Sequence, residues 1–336
     1  MLPLKKLKAG GGGNLTAGIA RKKYRKGNCG QGEKNMILSA SRRTDIPCFY
    51  SDWFMNRIRA GYVLTRNPMN HAQLSRIPLS PEIVDCIVFW TKDAKNIMPH
   101  LGVLDGMGYK YCFQFTLTPY NRSLERNLRG KAEIEDTFIA LSKQIGKKQI
   151  IWRYDPIILN STLDIAYHRA QFERMCDKLA DYTETLIISF VDIYTKLKTN
   201  LIREITPDEI IKLSKFIGKT AKAYGLSVVA CCEKDSLIQY GIEKASCIDK
   251  IMLEKVCGCK LNILPDKNQR PGCGCMESVD IGAYNTCLNG CVYCYANGNP
   301  AVIERRYNSH NPQNELIIGT VADKEKIMER KVKSHR

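Results

Sequence analysis

The sequence predicts an α/β protein, a complete or partial (β/α) TIM-like barrel. Three observations carry this. Short, continuously apolar runs recur about every 30 to 40 residues, as strands buried on both faces do. Amphipathic helical patterns fill the intervals. Polar and charged residues stand at the carboxyl end of nearly every run, where the loops of such a barrel converge.

The elements follow in order. Met36–Ala40 is the first apolar run, and a helix is expected from Tyr50 to Ala60. Gly61 to Pro78 reads as a hairpin or irregular excursion, with Asn67-Pro68 and Pro78 as turn signals. Further strands are expected at Ile83–Trp90, Tyr111–Leu117, Gln149–Tyr154, Thr185–Val191 and Leu226–Cys231. Helices fall at Glu133–Gln144, Leu163–Ala180 and Pro207–Tyr224. The last has Thr206 as N-cap, proline at its first position, and Gly225 to end it. One more strand lies near 277–284, and Asn285-Thr286 turns from it into a cysteine-rich loop. Periodicity does not fix strand order, so an open, doubly wound sheet is the alternative.

The polar strand ends form a set: Arg42, Arg43, Thr44 and Asp45; Thr91, Lys92 and Asp93; Gln114 and Thr116; Arg153 and Asp155; Ser189 and Asp192; Cys232 and Glu233. Any one of them is also what an ordinary strand-to-loop boundary looks like. Together they read as a polar pocket floor.

With 336 residues, 44% of them hydrophobic, the chain can bury a large core. Its runs are too short to cross a bilayer, and no apolar stretch of signal-peptide length follows Lys5, Lys6 and Lys8; a soluble cytoplasmic protein is expected. The net charge of +17 is unevenly spread: residues 1–35 carry nine basic side chains against one acidic and include Gly10–Gly13. They read as a basic, flexible tail, either solvated or touching nucleic acid. The main domain spans 36–300 and a C-terminal extension 301–336.

Fifteen cysteines in a reducing compartment point to metal ligation rather than disulfides. Cys86, Cys112 and Cys176 lie in apolar or helical surroundings and read as small buried hydrophobes. Seven others fall between Cys257 and Cys294. Cys287, Cys291 and Cys294, spaced C-x3-C-x2-C, suit a [4Fe–4S] cube with one iron left without a protein ligand, and Tyr293 and Tyr295 flank the last of them. An open iron can grip a small molecule and reduce it. Cys257, Cys259, Cys273 and Cys275, with Cys232 or Cys247, could ligate an auxiliary site; glycine inside each C-x-C lets the backbone fold tightly. A closed zinc site from Cys273, Cys275, Cys291 and Cys294 competes, but it leaves Cys287 unexplained.

The triplet with Tyr293 resembles the cluster signature of the radical S-adenosylmethionine superfamily. Ser39–Pro47, Phe89–Lys92, Trp152–Pro156 and Ser278–Tyr284 resemble an uncharacterised prokaryotic family bearing only a domain-of-unknown-function label, whose C-terminal cysteines are likened to those enzymes. The resemblance covers about 36–300. It implies a [4Fe–4S] cluster and S-adenosylmethionine as cofactors, cleavage to a 5′-deoxyadenosyl radical, and an external reductant such as ferredoxin or flavodoxin. In the superfamily the cysteine loop follows the first strand, whereas here it follows the last. A circularly permuted barrel reconciles the two, with 278–284 beside 36–40 and the loop beside Arg42–Asp45. No further cofactor motif, such as Gly-Gly-Glu, is found.

The leading expectation is therefore a radical enzyme acting on a small-molecule or nucleic-acid substrate. Arg42, Arg43, Lys92 and Arg153 would hold an anionic group, and Asp45, Asp155 and Glu233 would take ribose or amine. The rival is a nucleic-acid-binding protein with the structural zinc site. A passive electron carrier is disfavoured by the missing fourth cysteine at ferredoxin spacing.

Overall fold

Five apolar residues, Met36–Ala40, form β1 and are buried along their whole length. They lie inside an eight-stranded sheet in a computed structural model that describes residues 36–193, 199–231, 233, 235–270, 272–323 and 325–330. The basic tail and Cys232 lie outside the described residues. After β1 come α1 (Ile46–Phe49) and α2 (Ser51–Ala60), then the hairpin β2 (Tyr62–Arg66) and β3 (Leu74–Pro78). The repeating units follow: β4 (Val84–Thr91), α3 (Leu101–Met107), β5 (Tyr111–Thr116), α4 (Lys131–Ile145), β6 (Ile150–Ile157), α5 (Ile165–Leu179), β7 (Thr185–Phe190), α6 (Pro207–Ala223) and β8 (Ser227–Ala230). The chain ends through β9 (Ile242–Lys244), α7 (Lys250–Cys257), β10 (Val279–Asp280), α8 (Pro300–Asn308) and β11 (Ile327–Glu329).

The main sheet runs β10-β1-β4-β5-β6-β7-β8-β9, and every neighbouring pair is parallel. From β1 onward, spatial order follows chain order. A doubly wound sheet reverses at a switch point; this one does not. The expected adjacency of the last strand and the first is present, with Leu38 opposite Val279 and Ser39 opposite Asp280. A complete barrel is not formed. β9 has three residues and β10 two, and no hydrogen bonds join them, so the sheet stays open.

Alternation along the strands gives the sheet two apolar faces. On one, Leu38, Phe89, Phe113, Trp152, Ile188 and Val228 meet the helices, with Phe89 stacked on Phe113 at 4.8 Å between ring centroids. On the other, Ile37, Cys86, Val88, Cys112, Ile151 and Ile187 are covered by Leu253 of α7 and by Leu261, Ile263 and Cys275. Cys86, Cys112 and Cys176 are buried thiols, as expected. The segment beyond residue 300 folds back on the domain. Trp53 Nε1 donates to Asn314 O (2.9 Å), Arg57 donates to Gln313 O (3.1 Å), and β11 adds a parallel strand to β3.

The helices start where side chains satisfy their first N–H groups. Asp45, Asp164, Thr206 and Asp249 cap α1, α5, α6 and α7. α6 carries the expected Thr206–Glu209 capping box. Sequence reading had not placed α3, α7, α8, β9 or β11; each is nine residues or fewer, too short to display a period.

α6 approaches the turn before β9 closely enough that a Cβ on Gly218 would lie 1.9 Å from Tyr240 O. Alanine would favour the helix by about 1 kcal/mol, but backbone overlap of this kind costs about 1–3 kcal/mol or more. Gly218→Ala should therefore lower the chemical-denaturation midpoint. An unchanged or raised midpoint would show that the helix does not press on residue 240.

Candidate functional site

The site is assembled at the carboxyl ends of the strands, beginning at the seam between β1 and β10. Two main-chain-paired residues are a weak strand, and the Asp280 carboxylate supplements them. It accepts from Ser39 Oγ (2.9 Å), Ser41 Oγ (2.6 Å), Arg42 N (2.8 Å) and Gly282 N (3.0 Å). The backbones come so close that a Cβ on Gly282 would sit 2.1 Å from Ser41 Oγ. This fixes where the chain enters the cysteine loop.

A second buried carboxylate receives the loop. Asp45 accepts from Cys48 N (3.1 Å), Thr91 Oγ1 (2.7 Å), Lys92 N (2.8 Å) and Asn289 Nδ2 (3.0 Å). Burial still pushes its carboxyl up to about 6 against those four donors. With its oxygens occupied, Asp45 organises the site, and the expected role in binding ribose or amine does not suit it. Tyr50 OH donates to Thr286 O (2.6 Å), and Tyr295 OH to Arg42 O (2.9 Å). On the other side Asn127 Nδ2 donates to Leu288 O (2.7 Å), Val292 N to Leu124 O (2.8 Å), and Glu125 bridges Cys291 in antiparallel fashion. Gly290 turns the loop at φ +66°, and a Cβ there would lie 2.9 Å from Asn127 Nδ2.

Cys287, Cys291 and Cys294 are thus held, half-buried, beside Arg42–Asp45, where the permuted arrangement expects them. Burial raises the Cys287 thiol, and Asp45 and the two other thiols add to the effect. Burial likewise pushes Cys291 up to about 12 and raises Cys294. A positive centre among the three would reverse this. Among the described residues no three His, Cys, Asp or Glu side chains converge as the shell of a single ion does. The ligands of a cube stand round its corners instead. The expected zinc set does not assemble: Cys275 contacts Cys231 and Cys247, while Cys291 and Cys294 belong to the loop.

Against Cys291 lies a buried charge network. Glu125, 1% exposed, accepts from Lys92 Nζ (2.7 Å), Thr118 Oγ1 (2.9 Å), Lys131 Nζ and Tyr293 OH. Lys92 Nζ also donates to Tyr293 OH (2.9 Å). Burial alone would raise the Glu125 carboxyl, but the two lysines more than reverse it, to about 2. For Lys92, Glu125 outweighs a desolvation that would lower its ammonium, and the net shift is upward; for Lys131 desolvation wins, and its ammonium is lowered. One carboxylate does not neutralise two lysines. The surplus positive charge beside Cys291 suits a thiolate-bound, anionic group.

The remaining expected residues lie along the same strand ends. Arg153 pairs with Asp155 and donates to Gln114 Oε1 (3.1 Å); Ser189 Oγ donates to Asp155. Arg42 and Arg153 each lie 5.3 Å from the Trp90 ring centroid. Arg43 lies 5.2 Å from the Tyr284 ring, with its Nε 4.0 Å from Asp280. Glu233 accepts from Phe190 N (2.8 Å), and burial raises its carboxyl. Arg42 Nη2 is buried without a hydrogen-bond partner, so it is the strongest candidate to hold an anionic group. The expected auxiliary set is split: Cys257 Sγ donates to Asp85 O (3.5 Å), Cys259 is disulfide-bonded, Cys273 is half-buried, and Cys275 sits with Cys231 and Cys247. Surface hollows lined by Asp164 and Arg169, and by Lys215 and Lys222, lie on the helical exterior.

Sequence reading missed Glu125, Lys131 and Asn289. Glu125 stands in a turn-rich segment with no period and Lys131 opens α4, so only the fold brings them to Cys291. Asp280 carried a signal of its own, an acid between Val279 and Ile281 in an apolar run.

A family model described as a domain of unknown function (DUF1848) matches residues 37–296. No curated protein matches. A solved structure from Bacteroides thetaiotaomicron VPI-5482, provisionally described as an alpha-L-fucosidase, is 11% identical, with a TM-score of 0.25 over 68% of this chain and 86% of that one; a likeness that weak carries no argument.

Replacing Glu125 by Gln leaves two buried ammonium groups without their carboxylate, at a cost of about 3 kcal/mol. Adding Lys92→Met should recover part of it. Because the Glu125 carboxyl sits at about 2 rather than its ordinary 4.5, its contribution is complete above pH 4.5 and is lost as the pH falls toward 2. Wild type and E125Q should therefore converge in stability across that window in urea titrations; a constant gap would assign the loss to packing.

Proposed function

The chain belongs to the family described as a domain of unknown function (DUF1848), so its chemistry has to be read from its site, and we propose a radical S-adenosylmethionine enzyme. The observation that carries this is the C-x3-C-x2-C loop, seated at the carboxyl ends of a parallel sheet next to its first strand. The proposal includes the finer fold, a permuted partial barrel in which β10 precedes β1 in space.

Cys287, Cys291 and Cys294 would hold three irons of a [4Fe–4S] cluster. When bound, the cluster supplies the electron that splits S-adenosylmethionine into methionine and a 5′-deoxyadenosyl radical, which takes hydrogen from a substrate. The protein's own residues position and shield. Lys92 and Lys131 place surplus positive charge beside Cys291, and Tyr293 covers it while bound to Glu125. Arg42 offers an unpaired N–H inside the crevice. Arg153 is already paired with Asp155, which makes it a wall of the pocket more than a free anion clamp. Substrate and reductant remain as the sequence implied: a small molecule or nucleic acid, and a ferredoxin- or flavodoxin-type donor. The described helices include none long and apolar enough to cross a membrane.

Full-length protein reconstituted with iron and sulfide without oxygen, then reduced in the presence of S-adenosylmethionine, should yield 5′-deoxyadenosine. Cys294→Ala should reduce the yield to background. A protein whose spectrum confirms the cluster, yet which forms no 5′-deoxyadenosine, would overturn the reading.

A further inference from the structure

Among the Phe, Tyr and Trp side chains of the described residues, Tyr284 (37%) and Tyr295 (58%) are exposed, and the others are buried or half-buried. Both exposed rings flank the cysteine loop. Asn285 N donates to Ala296 O (2.9 Å), and Gly298 N to Asn285 Oδ1 (2.7 Å). The residue after each tyrosine is thus tied across the neck of the loop, which brings positions 284 and 295 to one rim.

Neither side chain is loose. Tyr295 OH donates to Arg42 O (2.9 Å). The Arg43 guanidinium lies over the Tyr284 ring, 5.2 Å from its centroid, and is itself held by Gly282 O (3.5 Å) and Asp280 (4.0 Å). Arg306 Nη1 donates to Tyr284 O (2.7 Å). Fixing a side chain costs entropy, which burial of an aromatic ring ordinarily offsets. Rings fixed in place yet left in water form a preorganised surface.

The same pairing of ring and cation continues inward. Arg42, whose main-chain oxygen holds Tyr295, lies 5.3 Å from the Trp90 ring centroid, and Arg153 lies 5.3 Å from that centroid too. Arg42 Nη2 is buried without a hydrogen-bond partner. A buried donor without an acceptor is costly, and an incoming anionic oxygen would satisfy it.

Three kinds of partner compete for this track. A small anion would use Arg42 but gives the rim rings no purpose. An acidic protein surface calls for free, extended cations, whereas Arg43 is engaged by Asp280 and by Tyr284. A single strand of nucleic acid uses both features, because its bases stack on aromatic faces and its phosphates take N–H donors. The net charge of +17 draws a polyanion toward the chain.

We propose that the neck of the cysteine loop is a docking platform for single-stranded nucleic acid, with bases stacked on Tyr284 and Tyr295 and a phosphate reaching Arg42. As a statement about substrate class, this rests on the reading of the loop as the reaction centre; the binding itself does not. RNA and DNA share the chemistry, and the test separates them.

Full-length protein isolated without oxygen is titrated into short fluorescein-labelled RNA or DNA strands and followed by anisotropy. Strands with the same phosphates but abasic sites in place of the bases control for residues 1–35 and other basic groups, which attract phosphate alone. The intact strand should bind at least about tenfold more tightly than the abasic one, and the tighter of the RNA and DNA titrations names the nucleic acid. Y284L/Y295L should lose that preference, and Y284F/Y295F, which keeps both rings, should retain most of it. Equal binding of intact and abasic strands by wild type, which needs no variant to fold, would overturn the proposal. So would an undiminished preference in Y284L/Y295L. Loss of binding to a flavodoxin-type donor in that variant, with strand binding intact, would assign the rim to the donor protein and overturn it as well. Binding is read without catalysis, so failure to form 5′-deoxyadenosine counts against the earlier reading alone, and failure to prefer bases against this one alone.

Discussion

The Asp280 carboxylate is the constraint on which the rest of the site depends. β10 contributes only two residues to the sheet, too few to hold a strand in place by main-chain pairing alone. Its acid takes hydrogen bonds from Ser39, Ser41 and Arg42 N, residues 241 to 238 positions away, and so makes the end of β10 part of β1. Gly282 lets the two backbones touch. Everything that follows, from Thr286 under Tyr50 to Asn289 on Asp45, inherits its position from that seam. Each such bond is worth about 1 kcal/mol, more when the acceptor is charged, so a few residues suffice to anchor a long loop.

Charge is arranged around the loop with equal economy. The acids are buried and engaged: Asp45 with four donors, Glu125 with two lysines, a threonine and a tyrosine. The surplus that remains is positive and stands next to Cys291. Arg42 and Arg153, both against the Trp90 ring, extend that positive lining along the strand ends. In a low-dielectric crevice such charges act strongly on thiolates and weakly on neutral thiols.

The fold was legible because parallel strands buried on both faces are mostly apolar, and β4 to β8 each carry an apolar run with few polar residues in it. The Thr206-Pro207 start of α6 was legible for a local reason, a side-chain cap before a fixed φ. Closure was not legible, since the reach of β9 and β10 toward each other depends on what fills the face between them, and α7 was too short to foresee. Among site residues, the three loop cysteines carried their own spacing. Glu125 and Lys131 did not, because their meaning arises only where the segment from β5 into α4 meets residue 291. The auxiliary cysteines show the same limit: Cys257 and Cys275 look alike in sequence, yet the sulfur of one donates to Asp85 O and that of the other accepts from Ile248 N.

The seam between β1 and β10 also dictates an order of assembly. On the ribosome, β1 emerges some 240 residues before its partner aspartate, and its free edge waits through most of translation. Exposed parallel edges are prone to wrong pairing while they wait. The buried serines Ser39 and Ser41 keep polar groups on that edge until Asp280 arrives. The cysteine loop, made late, is placed only once β1 has this neighbour. Synthesis of β10 is thus a checkpoint: a chain stopped before it would form most of the sheet, yet would lack the seam that seats the three loop cysteines.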